Sequence, residues 1–369
     1  MANLAATVLQ EMVAVTPSFD KNEELTGLYG GLATILKQTN DPLGIVTPEL
    51  VAMAANSWGR SALKVPVLKK KTDVAVGATR HLDLSAGYIN ESAMESISFS
   101  PYVYQFSMIE ALNATNYISY ERDLKRKLDE MENAIIQALD IAACSLLSTR
   151  KSQFLYEKLG NAFTGNTYGV TAQARESLLS DLKSLMTFNR FNGSVDIVAN
   201  AGIKQLVDKL AQFGGANIEN KQMQYNGLNF NYTNNVANAV GKGGSGYAIE
   251  AGTIGMLTRC EYEAVRGAKS TDGREMTIVT LPKTGIQCAM YHYAIFDDKS
   301  AVKSDMGRVI EEKYEFSFDA AMFGASNSSP STIPTPIIKF DMESGNTSSL
   351  VTVVNTVANP VIVNQVPAS

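Results

Sequence analysis

The sequence is poor in the residues that do chemistry. Its 369 residues include two histidines, His81 and His292, and neither lies at ligand spacing from a cysteine or carboxylate. That argues against a metal centre or a histidine-based catalytic site. No serine sits in a G-x-S-x-G elbow. The three cysteines, Cys144, Cys260 and Cys288, are odd in number and widely spaced, so they read as reduced core thiols made in a cytoplasm. No apolar run approaches the roughly 18 residues that a membrane span needs. Positive charge is also short. Only 19% of residues are charged and the net charge is −5, so nothing draws the whole chain to nucleic acid or to anionic membranes. The opening stretch, MANLAATVLQEM, has no basic residue and carries Glu11, so no secretory signal is expected there.

What remains is apolar material: 45% of the chain, enough for two or three packed units. One stretch resembles a phosphate loop, VGKGGSGYAIEAG, because glycines let backbone N–H groups approach an anion. The spacing fails. Gly243 follows Lys242 where a Walker loop needs Ser or Thr, and Ala248 and Ile249 break a G-x-G-x-x-G pattern. A mobile surface loop is the expectation here. A nucleotide-dependent enzyme using the Gly243 region stays as a rival reading. No catalytic residue, cofactor or metal ligand is assigned.

The most informative segment is YERDLKRKLDEMENAIIQALD. Leu124, Leu128, Met131, Ile135, Leu139, Ala142 and Leu146 fall on one helical stripe. Between Glu121 and Glu132 four basic and five acidic residues nearly cancel, whereas a DNA-binding helix needs a cationic surplus. From Asn133 to Ser148 Asp140 is the one charged residue, and apolar residues fill the faces charged upstream, unlike a coiled coil. The spacing predicts a helix over 117–148, about 48 Å long. It is a strut, wet at one end and buried at the other.

Around it the chain alternates in character. TPELVAMAANSW predicts a helix with Thr47 as N-cap, Pro48 at its first position and Glu49 in its first turn. LKVPVLKKKTDVAVGA and SISFSPYVYQF are strand-like and flank a polar stretch, so 60–106 reads as a long hairpin arm. Two-stranded arms are marginal alone in water, so something must lie beneath it. Beyond the strut come helix, strand, helix and strand (TAQARESLLSDLKSLM, SVDIVAN, AGIKQLVDKLAQFG, LNFNYTNN), then GYAIEAG and the hairpin EMTIVTLPKTGIQCAMYHYAIF. His292 alternates with Tyr291 and Tyr293 as an ordinary strand residue, and Asp297 with Asp298 reads as a turn. KYEFSFDAAMFG places Tyr314, Phe316 and Phe318 on one side of a strand, and ASNSSPSTIPTPI reads as a linker.

The order of these elements, from about residue 47 to residue 324, resembles the major capsid protein of tailed bacteriophages. The resemblance implies an α+β fold with an N-terminal arm, an extended β-hairpin loop, a peripheral domain with a long spine helix, and an axial domain. On this chain it maps to 1–59 for the arm and first helix, 60–106 for the extended loop and 107–164 for the peripheral domain. The axial domain follows at 165–301, the closing peripheral strand at 302–325, and a linker with a β-rich extension at 326–369. It implies a structural subunit, not an enzyme, that self-assembles through pentamers and hexamers into an icosahedral head in the host cytoplasm. Such a shell encloses double-stranded DNA without reading its sequence and touches no membrane. The partners implied are other copies of the chain, a portal, a separate scaffolding protein and room for a decoration protein. An encapsulin-like compartment shares the fold and is the nearer rival. Candidate subunit contacts are Lys69, Lys70, Lys71, Arg80, Glu91 and Glu95, the charged residues of an arm that has to lie on something. The extension from Pro336 is expected to add strands to its own or a neighbouring subunit, because a free uncharged β-prone segment would aggregate.

Overall fold

The computed structural model describes residues 26–42, 44–57, 62–68, 92–109, 120–159, 162–213, 224–225, 227–260, 275–297, 309–325 and 334–344. Two short helices come first, α1 (Gly30–Thr39) and α2 (Pro48–Ala55). Thr47 caps α2 as its sequence requires, its Oγ1 accepting from Leu50 N at 3.4 Å. Next is a two-stranded antiparallel hairpin, β1 (Ala62–Leu68) with β2 (Ser92–Ser98), and then β3 (Ser100–Ile109). The strut is α3 (Tyr120–Arg150), two residues past the predicted end of 117–148, and residues 117–119 lie outside the described residues.

Beyond α3 lie β4 (Phe163–Thr164), β5 (Thr167–Val170), α4 (Leu178–Phe188), β6 (Val195–Ala199) and α5 (Ala201–Phe213). Strands β7 (Gln224–Tyr225), β8 (Leu228–Tyr232), β9 (Lys242–Glu250), β10 (Ile254–Arg259), β11 (Glu275–Thr280) and β12 (Gln287–Asp297) follow. The described chain closes with β13 (Val309–Gly324) and β14 (Ile337–Glu343).

These strands make two large sheets with α3 between them. One is a seven-stranded sheet in the order β4-β5-β14-β9-β6-β8-β7. Its strand β6 is buried throughout. Val195, Ile197 and Ala199 face α4 and α5, while Val198 enters the core that holds the strut. That two-sided burial explains the apolar run Ile197–Ala199, and the buried Asp196 beside it is met by Lys37 and Gln38. The other sheet runs β10-β13-β12-β11, with β3 added along β13. Leu124, Leu128, Met131, Ile135 and Leu139 of α3 pack in one core with Tyr314, Phe316 and Phe318 of β13 and with Tyr247, Ile249 and Ile337 of the seven-stranded sheet.

Several expectations change. The loop segment 60–106 divides at Phe99. Residues 62–68 and 92–98 form the hairpin, whereas Ser100–Ile109 leaves it to pair with residues 311–320 of β13. The strand expected to close the fold, β13, is the spine of its sheet, with β3 along one edge and β12 then β10 along the other. Strands β10, β11 and β12, expected in the axial domain of 165–301, therefore belong to the β13 sheet. Alternation identifies a strand but not its partner. The extension, expected to add strands to its own or a neighbouring subunit, supplies Ile337–Glu343 to the seven-stranded sheet of its own subunit, parallel to β5 and antiparallel to β9, while residues 345–369 lie outside the described residues.

The strut is not apolar all round in its surroundings. Below Asn133 its buried side holds Ile136, Ala143 and Leu147, while Ala134, Gln137, Ala138, Ile141, Ser145 and Ser148 stay exposed. The buried stripe has drifted to Ala143 and Leu147; Ala142 and Leu146 are half-buried, because seven residues of an ideal helix fall about 20° short of two full turns.

The glycine-rich segment is strand, not loop. Gly244 through Ile249 are buried in β9. A Cβ on Gly202 would stand 1.9 Å from Gly243 O, and one on Gly246 would stand 2.5 Å from Phe340 Cζ. The glycines let α5 and β14 approach the β9 backbone. Its N–H groups are engaged with β6 and β14, so the anion-binding reading loses its loop.

Candidate assembly interface

Among the described residues, β1 and β2 of the hairpin pair only with each other, outside both large sheets. Their inward residues Leu63, Val65 and Ile97 do reach a small core with Val46, Leu50 and Ala54 near α2 and with Leu257, Ala321 and Phe323 on β10 and β13. That patch anchors the base. Lys69, Lys70, Lys71, Arg80 and Glu91, with His81, lie outside the described residues.

Glu95 is placed, and its first partner is within the chain. On β2 it forms an ion pair with Arg150, the last residue of α3. Both side chains are about three-quarters buried, and Glu95 Oε2 is buried with no hydrogen-bond partner. The carboxylate therefore ties the hairpin to the strut with one oxygen unused. Arg150 O also accepts from Thr335 Oγ1 at 2.9 Å, so the chain entering β14 meets the same corner.

A second clamp sits where β2 turns into β3. The buried Arg259 guanidinium donates to Asp319 at 2.9 Å and to Ser57 O at 2.7 Å, and lies 4.0 Å from the Phe99 ring centroid. It joins α2, β10, β13 and the hairpin exit. A buried planar cation with this many partners fits arginine and not lysine.

The strut is fixed along its length by polar contacts that helical periodicity does not reveal. At its start Tyr120, Glu312 and Tyr314 share hydrogen bonds, with Tyr120 Oη and Tyr314 Oη 2.8 Å apart. Burial first, then these neighbours, pushes the Tyr314 phenol well above its ordinary pKa, so it stays a neutral donor. About three turns on, Lys283 Nζ reaches Asp129 at 3.1 Å and Asn133 at 2.7 Å, while Lys283 N donates to Glu132 Oε1 at 2.6 Å. This pins the turn between β11 and β12 to the helix.

Asp140 is the central fixture. It is fully buried, and its carboxylate accepts from Leu32 N at 2.9 Å, Thr233 Oγ1 at 2.5 Å and Asn235 Nδ2 at 2.6 Å. Leu32 is in the first turn of α1, where the helix dipole favours an anion. Burial raises the Asp140 pKa, and the hydrogen bonds from Thr233, Asn235 and Leu32 pull it back. One side chain thus joins α1, the strut and the loop between β8 and β9. Beside it, burial and the Asp140 charge push the Cys144 thiol up, which leaves it an unreactive core residue.

The surface left over is apolar in places. On α2 only Leu50 and Ala54 are buried, while Val51 and Met53 are 48% and 46% exposed. On β3 Val103 is 54% exposed. His292 packs at a tilt against the Tyr314 ring, centroids 4.8 Å apart, as a packed strand residue. Among the described residues no group of three His, Cys, Asp or Glu side chains is arranged to hold a metal, and no helix is long and apolar enough to cross a membrane. Sequence reasoning missed Arg150, Arg259 and the outer face of α2. Asp140 was legible as a lone charge in an apolar helix, though not its partners.

No family model and no curated protein matches the chain. Solved structures do. A Mycobacterium phage Che8 structure is 11% identical, with TM-score 0.43, over 83% of this chain and 90% of that one. The capsid of Ralstonia phage GP4 is 9% identical, with TM-score 0.43, over 79% and 85%. A holo-SrpI encapsulin complex from Synechococcus elongatus is 10% identical, with TM-score 0.40, over 79% and 85%. All scores lie below 0.5 and identities near one residue in ten, so the likeness by itself carries no function across.

Proposed function

We propose that this chain is the repeating subunit of an icosahedral shell, the major capsid protein of a tailed-phage head enclosing double-stranded DNA. The observation that carries the reading is the hairpin. It is anchored at its base by a small core and two cation clamps, yet it joins neither sheet of its own subunit. Such an element gains most of its stability from a surface on another copy. The order of hairpin, strut, mixed sheet and long β13 is the order the sequence resemblance implies.

In this reading Lys69, Lys70, Lys71, Arg80 and Glu91 meet neighbouring copies in pentamers and hexamers, and Glu95 sets the angle of the arm that carries them. A portal and a scaffolding protein are the partners in assembly, and a decoration protein is a further one. The chain performs no catalysis. Its net charge of −5 suits a wall to which packed DNA should not adhere.

Light scattering and negative-stain microscopy of the purified protein, with and without scaffold, test this. Closed shells or capsomers are expected; a lone particle of 39.9 kDa at every salt concentration would refute it. Shells that hold protein cargo in place of DNA would select the encapsulin-like role. Reversing Lys69, Lys70 and Lys71 to Glu should block assembly and leave the subunit folded, since like charges across an interface cost more than in solvent. Normal shells from that variant would show the lysines to be solvated.

A further inference from the structure

We propose that residues 345–369 of one copy add a strand to the open edge of β3 in a neighbouring copy. The inference rests on the shell reading and names a contact within it.

β3 is a long edge. Its ten residues pair with β13 on one side. On the other side, among the described residues, its backbone receives a hydrogen bond from Lys127 Nζ, at 3.1 Å to Ser107 O. An edge of this length offers a row of unused N–H and C=O groups, which proteins ordinarily shorten, charge or cover. Here the protection is thin. Pro101 stands at one end, Lys127 reaches the other, and Val103 between them is 54% exposed. Among the described residues the other open edges are shorter: β1 and β2 have seven residues each, β10 and β11 six, and β4 and β7 two.

The occupant is argued from the chain itself. Residues 345–369 contain no Asp, Glu, Lys, Arg or His. Leu350–Asn359, LVTVVNTVAN, is a ten-residue β-prone run ending before Pro360, the same length as β3. Strand addition takes its affinity from main-chain hydrogen bonds, so such a run needs no charged partner.

Where the segment departs favours a neighbour. Ile337 of β14 pairs with Ile249, beside the short turn into β10 and the sheet that holds β3. Glu343, at the other end, pairs with Lys242. Seven residues at about 3.3 Å each carry the exit ~20 Å away from that junction. The chain leaves the seven-stranded sheet heading away from its own β3.

Hydrogen exchange on assembled particles tests the proposal, comparing the full chain with one stopped after Ser344. In full-chain assemblies the amides of 100–109 should exchange at least about tenfold more slowly than in the stopped chain. Equal rates would overturn the inference. Assemblies grown from a mixture, with the stopped chain labelled with ¹⁵N, separate the source of the strand. Slowed exchange in the labelled β3 supports addition from a neighbour, and slowing confined to unlabelled chains overturns it. Introducing Val354→Asp in the full chain should restore fast exchange without altering subunit melting; retained slow exchange counts against the run as the occupant. Light scattering on the same samples keeps the two readings apart. Assembled particles with unprotected β3 overturn this inference alone, and particles that never exceed a monomer overturn both.

Discussion

Stopping the chain after Ala325 should unfold the seven-stranded sheet, whereas stopping it after Ser344 should leave the subunit intact. The first truncation removes β14. Ile337, Ile338 and Phe340 are fully buried and Met342 nearly so. Burying each such side chain stabilises by about 1.5–3 kcal/mol, so the four contribute roughly 6–12 kcal/mol. That is comparable with the whole stability of an ordinary domain, about 5–15 kcal/mol. The loss also opens the facing edges of β9 and β5, which pair with β14 over seven and four residues. Ile337 belongs to the core around the strut and the other three to the core under α4 and α5, so both are breached. Thermal melts by circular dichroism, with limited proteolysis, compare the two truncations and the full chain. The expected result is a cooperative melt for the chain ending at Ser344 and none for the chain ending at Ala325. A cooperative melt of the shorter chain within a few degrees of the full one would refute the reasoning.

Three further outcomes follow from single contacts. Gly246→Val should destabilise the subunit by about 1–3 kcal/mol or more, since its Cβ would stand 2.5 Å from Phe340 Cζ and 3.0 Å from Ala199 Cβ; a urea midpoint at or above that of the parent would count against it. Arg150→Ala should cost about 1–3 kcal/mol, discounted for partial exposure, and should loosen β2 before the sheets, read as faster amide exchange over 92–98. Asp140→Ala should cost about 3–5 kcal/mol because Leu32 N, Thr233 and Asn235 lose their acceptor, and Asp140→Asn should cost less. The pH dependence has a definite sign. Because burial raises the folded pKa of Asp140 above its usual 3.8, the folded state binds the proton first. Stability relative to Asp140→Asn should therefore rise as pH falls through the folded value and level off below the unfolded one. A gap in urea midpoints that stays constant or shrinks on acidification would contradict this.

Local pattern determined much of this protein. The step of three and four residues from Leu124 to Leu139 fixed the strut and its buried side, Thr47-Pro48-Glu49 fixed the start of α2, and alternation in KYEFSFDAAMFG fixed which side of β13 is buried. These are properties of a few adjacent residues and survive in any fold. Partner choice was decided elsewhere. Nothing within IIKFDME says that it runs parallel to β5 and antiparallel to β9, nor does SPYVYQFSMI say that it leaves the hairpin for β13. These pairings join residues about 90 to 220 positions apart, and alternation is the same whichever neighbour is taken. The glycines of β9 misled because permissive backbone and close backbone approach use the same residue. Only Gly202 opposite Gly243, and Phe340 opposite Gly246, distinguish a packed strand from a loop. Asp140, Arg150 and Arg259 were visible as letters, but their roles come from meeting Leu32, Glu95 and Asp319 across elements that tertiary packing alone brings together.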